Sequence, residues 1–482
     1  MNREQDLPNF AVAIIGGGFA GSTLAASLLR NSSGSLSVAL IERGARVGRG
    51  VAYGTRCEQH LLNVPAKNMS AYPHDKEHFL RWVRLHYNSA VQPGSFLPRK
   101  LYGQYVDFVL EQEAASNPGQ FDHVQDEAVS LTRLGDRIKI LLRSGQSFLA
   151  GKVVLAIGNF PPGDPRLPGK TPHSQHYIPD PWTPGALSDI NSDMNGDDGV
   201  LLIGSGLTSV DVAIALRAHG FGGTIHILSR RGLLPQQHKA CAVWPPFWDE
   251  NSPKTVLGLL RLIRKQVEHA EQLGSGWRAV VDSLRPFTPR IWSTLSHREQ
   301  KRFLRHVRPY WEVHRHRVAP EIGVPIASEI NSGQVETHSG RILSYVEDCT
   351  GVEVTYRERK TLQSKQLRVS RVVNCTGPET DCRRIDNRLL ANLICQKMIR
   401  PDPLFLGLDT TDYGALIDAS GQPSDFLYAV GPARKGSLWE TTAVPEIRVQ
   451  VADMAKLLIS SYEEEDLKMD RRERLIDSHF AA

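Results

Sequence analysis

Ala11-Val12-Ala13-Ile14-Ile15-Gly16-Gly17-Gly18-Phe19-Ala20-Gly21 sets a continuous apolar run against a cluster of glycines. A short run of that kind reads as a parallel strand buried on both faces. Residues 22–30 follow with helical spacing and good helix formers, and residues 37–41 form a second buried strand that ends at Glu42. The unit is strand, helix, strand. Its turn has the spacing GxGxxG. Gly16 allows the tight turn, Gly18 lets a pyrophosphate approach the backbone, and Gly21 lets helix and strand pack closely. The helix that begins there offers free N–H groups and a positive dipole end to phosphate. Glu42 stands 21 residues beyond Gly21, where a carboxylate at the end of the second strand accepts both hydroxyls of a ribose. A turn built for packing alone leaves Glu42 unexplained. Phe19, Ala20 and Arg43 flank these positions and complete the expected contacts.

Further along, residues 199–203 start a second strand, followed by Gly204-Ser205-Gly206-Leu207-Thr208-Ser209. This is a weaker form of the same motif, with Ser209 in place of the last glycine. Gly204, Gly206, Thr208 and Ser209 are its expected contacts. The next strand, residues 224–228, ends in Ser229-Arg230-Arg231. An acidic residue there would favour the free ribose of NADH, whereas arginines suit a ribose 2′-phosphate. NADPH is therefore the expected cofactor. NADH is the alternative if the arginines are only a solvated strand end. Two nucleotide folds in one chain imply hydride traffic between two cofactors, with FAD on the amino-terminal motif and the nicotinamide on the second. The expected fold class is α/β: two Rossmann-like dinucleotide-binding domains, a two-dinucleotide flavoprotein, with a helical insertion.

The chain has 482 residues, too many for one small core, so two to three domains are expected. Residues 1–165 read as the first part of the FAD-binding domain and 196–372 as the NAD(P)H-binding domain, with the insertion at about 240–325. Residues 373–460 read as the second part of the FAD-binding domain and 461–482 as a charged tail. The insertion rests on two amphipathic helical patterns, residues 254–271 and 298–311. In the second, Arg298, Arg302, Arg305 and Arg308 are expected on one solvated face, with Phe303, Val307 and Trp311 on the other. Residues 164–195, rich in Pro, Asp and Gly, read as a linker.

A net charge of +5 is mildly basic and well short of a nucleic-acid binder. No run of about eighteen apolar residues exists, so no membrane span is expected. Residues 1–10 hold no apolar signal core. None of the six cysteines has CxxC spacing, so the redox pair of a flavin disulfide reductase is missing. They read as reduced, small apolar residues in a reducing cytoplasm. No HExxH or Cys/His ligand spacing is present and no metal site is expected.

Longer stretches carry a family likeness. Gly48-Arg49-Gly50-Val51-Ala52-Tyr53-Gly54, Leu61-Leu62-Asn63-Val64-Pro65-Ala66 and Met69-Ser70 resemble one group of bacterial FAD/NAD(P)-binding proteins. So do Pro98-Arg99-Lys100-Leu101-Tyr102-Gly103, the run from Ser229 to Pro235, His314-Arg315-His316-Arg317, Val373-Asn374-Cys375-Thr376-Gly377-Pro378, and the run from Trp439 to Arg448. The group looks like the one that contains FAD-dependent urate hydroxylases and the nitrosuccinate-forming aspartate N-monooxygenases. The resemblance implies that Gly50, Asn63, Met69 and Gly377 also contact FAD. It implies a monooxygenase in which reduced flavin takes up dioxygen as a flavin hydroperoxide. One oxygen atom then passes to a small anionic, nitrogen-containing substrate of the urate type. An aspartate-type N-monooxygenase is an alternative, as is a flavin reductase or electron-transfer protein without oxygenation. The pattern of Leu167, Gly169, His173 and Tyr177 resembles the FxGxxxHxxxW fingerprint of flavin monooxygenases with both aromatic ends changed; it also reads as plain linker.

Chemistry of this kind is centred on the flavin, and no conventional acid–base pair stands out. Gly431-Pro432 resembles the flavoprotein turn that places a helix N-terminus near the flavin ring, with Pro432 where many relatives carry aspartate. His314, Arg315 and Arg317 are expected to grip the NADPH phosphates or an acidic substrate. Trp439, Glu440 and Thr441 are expected in the wall of the substrate site.

Overall fold

The opening run is buried because neighbours cover it on every side. In the computed structural model, which describes residues 7–32, 34, 36–171, 174–190 and 199–480, the strands in chain order begin with β1 (Asn9–Ile15), β2 (Val38–Ile41), β3 (Phe121–Val124), β4 (Ala128–Leu134), β5 (Arg137–Leu142) and β6 (Ser147–Leu155). Then come β7 (Tyr177–Ile178), β8 (Val200–Ile203), β9 (Ile225–Ser229), β10 (Val335–Asp348), β11 (Gly351–Glu358), β12 (Ser364–Val369), β13 (Arg371–Asn374), β14 (Ala415–Ile417) and β15 (Pro423–Ala429).

The first sheet runs β14-β15-β6-β1-β2-β3, with β1 parallel to both β2 and β6. β6 serves two partners along one edge. Its residues 147–150 pair antiparallel with β5, and residues 153–155 pair parallel with β15. The chain thus returns to its first sheet after building the second. Helices Phe19–Asn31, Arg99–Ser116 and Val444–Phe480 cover one face, through Leu24, Leu28, Tyr102, Val451 and Met454. The β4–β5 hairpin and helix Arg388–Cys395 cover the other, through Ile138, Ile140, Leu390 and Leu393. The second sheet runs β12-β11-β10-β9-β8-β13-β7. Helices Leu207–Ala218 and Pro320–Asn331 lie on one face, and the β10–β12 meander folds Tyr345, Val354 and Tyr356 over the other.

Two segments join the halves side by side. Pro162 and Pro378 form an antiparallel bridge, Glu379 N donates to Pro161 O at 3.1 Å, and Asn374 Nδ2 donates to Gly163 O at 3.2 Å. Of the residues beyond this crossing, His173 lies outside the described residues, and so do 191–198. Tyr177 is in β7, its hydroxyl donating to Asp164 Oδ1 at 2.7 Å, and Gly169 has φ +91°.

The insertion between β9 and β10 is helical, but residues 298–311 are not one helix. A π turn at Phe303–Val307 separates His297–Arg302 from Arg308–Arg315. A π turn shifts the phase of everything after it, and Pro309 starts the new helix. Arg298, Arg302 and Arg305 are exposed, while Arg308 is half-buried; Arg302 pairs with Glu299, and Arg308 pairs with Glu312. Phe303, Val307 and Trp311 do pack inward, against Trp248, Trp292 and Trp439. Trp292 stacks on Trp439 at 5.0 Å, a pair worth about 0.5–1.5 kcal/mol beyond its buried area. The final helix runs unbroken to Phe480, through what the sequence offered as a separate charged tail; Glu, Lys and Arg are good helix formers. No helix among the described residues is long and apolar enough to cross a membrane.

Candidate cofactor and substrate cleft

At the first turn the protein itself requires two of the glycines. Gly16 has φ +107°, and a Cβ there would lie 2.4 Å from Ala156 O. A Cβ on Gly21 would lie 1.8 Å from Gly16 O. Gly18 is different. Its φ of −72° suits any residue, and a Cβ would meet only Gly50 Cα at 3.7 Å. Neither conformation nor packing explains a glycine there, whereas a phosphate approaching the helix N-terminus does. Glu42 accepts from Gly17 N at 2.7 Å and Gly44 N at 2.8 Å. A carboxylate has about four acceptor positions, so capacity remains for a ribose. Gly48 N donates to Gly17 O at 2.7 Å, which folds the loop bearing Gly50 over the turn. Phe19 packs on Tyr53 and Tyr102, and Arg43 is exposed. A Cβ on Gly431 would lie 3.4 Å from Ala20 Cβ, so the end of β15 and the 3₁₀ turn through Pro432 stand beside this site. These residues fit an adenine dinucleotide.

The second turn repeats the logic. A Cβ on Gly204 would lie 2.3 Å from Cys375 O, while one on Gly206 would meet nothing within 4 Å. Ser209 is buried, and its Oγ donates to Gly206 O at 2.8 Å, closing its own turn. Ser205 Oγ donates to Ser229 Oγ at 2.8 Å, tying the turn to the end of β9. Arg230 is exposed. The Arg231 guanidinium donates to Tyr310 Oη at 3.1 Å and lies 5.0 Å over its ring. Gly377, φ +87°, turns the chain at the crossing between the halves.

A cleft of about 980 Å³ opens between the two domains. Asn63 and Met69 line it from the first domain, Leu207 and Thr208 from the second, and Thr442, Ala443 and Val444 from the start of the final helix. Its lining carries Lys67, Arg99, Lys239, Arg285, Arg315 and Arg317 against Asp211 and Asp282, a cationic excess. Arg99 grips Asp211 with two bonds, 2.7 and 3.0 Å, across the domain boundary. His238 donates Nε2–H to Asn63 O at 2.9 Å across the same boundary; burial pushes its imidazole down to about 4, so it is neutral near pH 7. Arg285 donates to Glu446 at 2.9 Å, and Arg315 reaches Glu446 at 3.1 Å and Glu440 at 3.3 Å. These bonds pin the insertion to the start of the final helix.

Of the residues expected at the substrate, Arg315 and Arg317 line the cleft, the latter held by Asp282 at 2.8 and 3.1 Å. His314 does not: its Nδ1 bonds Tyr310 O at 2.7 Å and its ring lies against Trp277. Trp439, Glu440 and Thr441 are buried behind the wall. Trp439 has φ +60° and faces Trp292; Glu440 accepts from Trp311 Nε1 at 3.0 Å; Thr441 Oγ1 donates to Gly431 O at 2.7 Å. Burial raises the Glu440 carboxyl, but Arg315, His316 and Trp311 outweigh it and hold the group below its ordinary value. The three residues brace the loop whose next three line the cleft. Sequence reasoning passed over Asp211, His238 and Arg285, whereas His316, part of the run His314–Arg317, lines the cleft. For Asp211 a signal existed: an acid inside the apolar helix run Val210-Asp211-Val212-Ala213-Ile214.

Residues 13–160 match the family described as FAD-NAD(P)-binding. No curated protein matches the chain in sequence. Among solved structures the chain is similar to L-lysine 6-monooxygenase from Pseudomonas syringae, at 15% identity and TM-score 0.64 over 93% of this chain and 99% of that one. It is similar to ornithine hydroxylase from Pseudomonas aeruginosa, at 13% identity and TM-score 0.59 over 94% and 99%. It is also similar to bacillithiol disulfide reductase from Staphylococcus aureus, at 12% identity and TM-score 0.54 over 94% and 99%. At these identities the likeness is one of fold, that of two-dinucleotide flavoproteins. Family match and doubled nucleotide fold together define the class: a protein that binds FAD and NAD(P).

Proposed function

We propose that the protein is an NADPH-dependent flavin monooxygenase that hydroxylates a small anionic, nitrogen-containing substrate of the urate type. The observation that carries this reading is the cationic cleft between the two domains. Bound FAD supplies hydride acceptance and oxygen activation. The chain's own groups position and screen. Glu42 holds the flavin nucleotide's ribose, and the open faces of Gly18 and Gly206 admit the two pyrophosphates. The helix starting at Val444 sets its positive dipole end at the cleft wall, where it would stabilise negative charge on a reduced ring. Lys239 and the ion-paired arginines favour an anionic substrate. The names of the two hydroxylating neighbours also support oxygenation, and an aspartate-type substrate is the second candidate.

The test is NADPH oxidation and oxygen uptake with urate and then aspartate as substrate. Hydroxylated product should form in step with NADPH consumed. Peroxide as the only product, with electrons passing readily to a dye whatever compound is added, would sink the oxygenase in favour of a reductase.

Arg230→Ala separates the nicotinamide cofactors. Losing one charge-assisted phosphate contact costs about 1.5–3 kcal/mol, so the KM for NADPH should rise about 10- to 100-fold with NADH nearly unaffected. Arg231→Ala should add a loss common to both cofactors, because it also frees Tyr310. Equal losses for both cofactors in Arg230→Ala would remove the 2′-phosphate from the assignment.

A further inference from the structure

Away from the cleft, two strands of the second sheet bring together three side chains that neither cofactor uses. His226 is the second residue of β9. Glu336 and His338 lie two apart on β10 and so share a face. The two strands pair in parallel with Glu336 opposite His226. His226 Nδ1 lies 3.2 Å from His338 Nε2, and Glu336 Oε2 lies 3.4 Å from the first and 3.5 Å from the second. The three atoms form a nearly equilateral triangle.

The 3.2 Å between the imidazoles is within hydrogen-bond range, and the two lengths from Glu336 are the ones that discriminate. Charge-assisted hydrogen bonds from imidazole to carboxylate are shorter, about 2.7–2.9 Å, so Glu336 is not placed to bond either ring well. A zinc ion held at about 2.0–2.2 Å with tetrahedral angles keeps its ligand atoms about 3.3–3.5 Å apart. The triangle has the size of one face of such a tetrahedron.

The surroundings fit the same reading. Tyr356 is buried, and its hydroxyl lies 3.0 Å from His338 Nδ1, the outer-nitrogen partner that fixes a ligating imidazole. A Cβ on Gly199 would lie 3.0 Å from His226 Nε2, so that ring lies against backbone with no side chain. The imidazoles are 13% and 14% exposed and the carboxylate 49%, which leaves one side of the triangle open to water.

We propose that His226, Glu336 and His338 bind one divalent transition-metal ion of the zinc class, with water in the fourth position. Imidazole and carboxylate donors suit such an ion. The site lies at the amino-terminal ends of β9 and β10, the opposite end from Ser229 and Arg231. The ion therefore clamps the sheet where the meander begins and stands apart from the redox chemistry. Its ligands come from strands joined only by register, so no short ligand motif announces it.

The experiment uses untagged, full-length, flavin-loaded protein, stripped with a chelator and equilibrated by dialysis against Zn²⁺, with bound metal counted by mass spectrometry. A single tightly bound ion per chain is expected, together with a rise in melting temperature on adding Zn²⁺. Tyr356→Phe should weaken binding about 10- to 100-fold. Glu336→Gln should abolish both the stoichiometric ion and the thermal rise while keeping the flavin content of the wild type. Glu336 is half-exposed, so this variant carries the test even if His338→Ala fails to fold. Absence of stoichiometric zinc in the wild type, or wild-type affinity in Glu336→Gln, would overturn the proposal.

Discussion

Gly18→Ala should empty the flavin site and leave the fold standing. Alanine is comfortable at φ −72°, and its methyl group would make only an ordinary contact with Gly50 Cα at 3.7 Å. Gly18 also caps the helix Phe19–Asn31. Alanine is the poorer cap by up to about 1 kcal/mol, offset by about 0.4–1 kcal/mol from a less flexible unfolded chain. Folding stability should therefore barely move. The methyl group occupies the space through which a pyrophosphate reaches the helix N-terminus. Each phosphate hydrogen bond lost costs about 1.5–3 kcal/mol, or about 10- to 100-fold in affinity. The variant should elute colourless after desalting, with an unchanged melting curve for the flavin-free form. Gly16→Ala is the control with the opposite signature. Its Cβ would strike Ala156 O at 2.4 Å in a backbone region closed to alanine, so it should lose folded protein along with flavin. Full flavin retention in folded Gly18→Ala would mean that no pyrophosphate lies at this turn.

The contrast between these two glycines shows what the sequence can and cannot convey. The strand–glycine–helix units were legible because a strand buried on both faces must be continuously apolar and each such run is closed by glycines. The motif assigns different tasks to Gly16 and Gly18, but it does not convey that Ala156 O faces the first and open space the second. The break at Phe303–Val307 was hidden because a π turn leaves the apolar positions looking periodic. The positive φ of Trp439 has no residue-type signal, and neither has the fact that Thr442 lines the cleft while Trp439 does not. The cleft's charges were visible singly but not as pairs. Arg317 and Asp282 are 35 residues apart, Arg285 and Glu446 161 apart, and nothing local couples them.

Asp211→Ala should be among the most destabilising single changes in the molecule. Asp211 and Arg99 are each about one-tenth exposed, and their two bonds join the helix of the second glycine motif to the first domain. Arg99 Nε is committed to Leu61 O at 2.9 Å, so the guanidinium cannot swing out to solvent when its partner goes. Removing one member of a buried pair costs about 3–5 kcal/mol because the other charge remains uncompensated. Replacing both members by apolar residues of similar volume, as in Arg99→Met with Asp211→Leu, is often neutral or stabilising. The double variant should therefore melt near the wild type while the single variant melts well below it. Rapid-mixing measurement of flavin reduction by NADPH then asks what the charged pair is for. An apolar contact holds the domains together without fixing their angle, whereas a bidentate pair sets both distance and direction. If the pair aligns the two cofactors, the double variant will be stable and slow. A double variant that is both stable and fast would reduce the pair to ordinary packing, and an Asp211→Ala protein as stable as the wild type would show that the interface admits water.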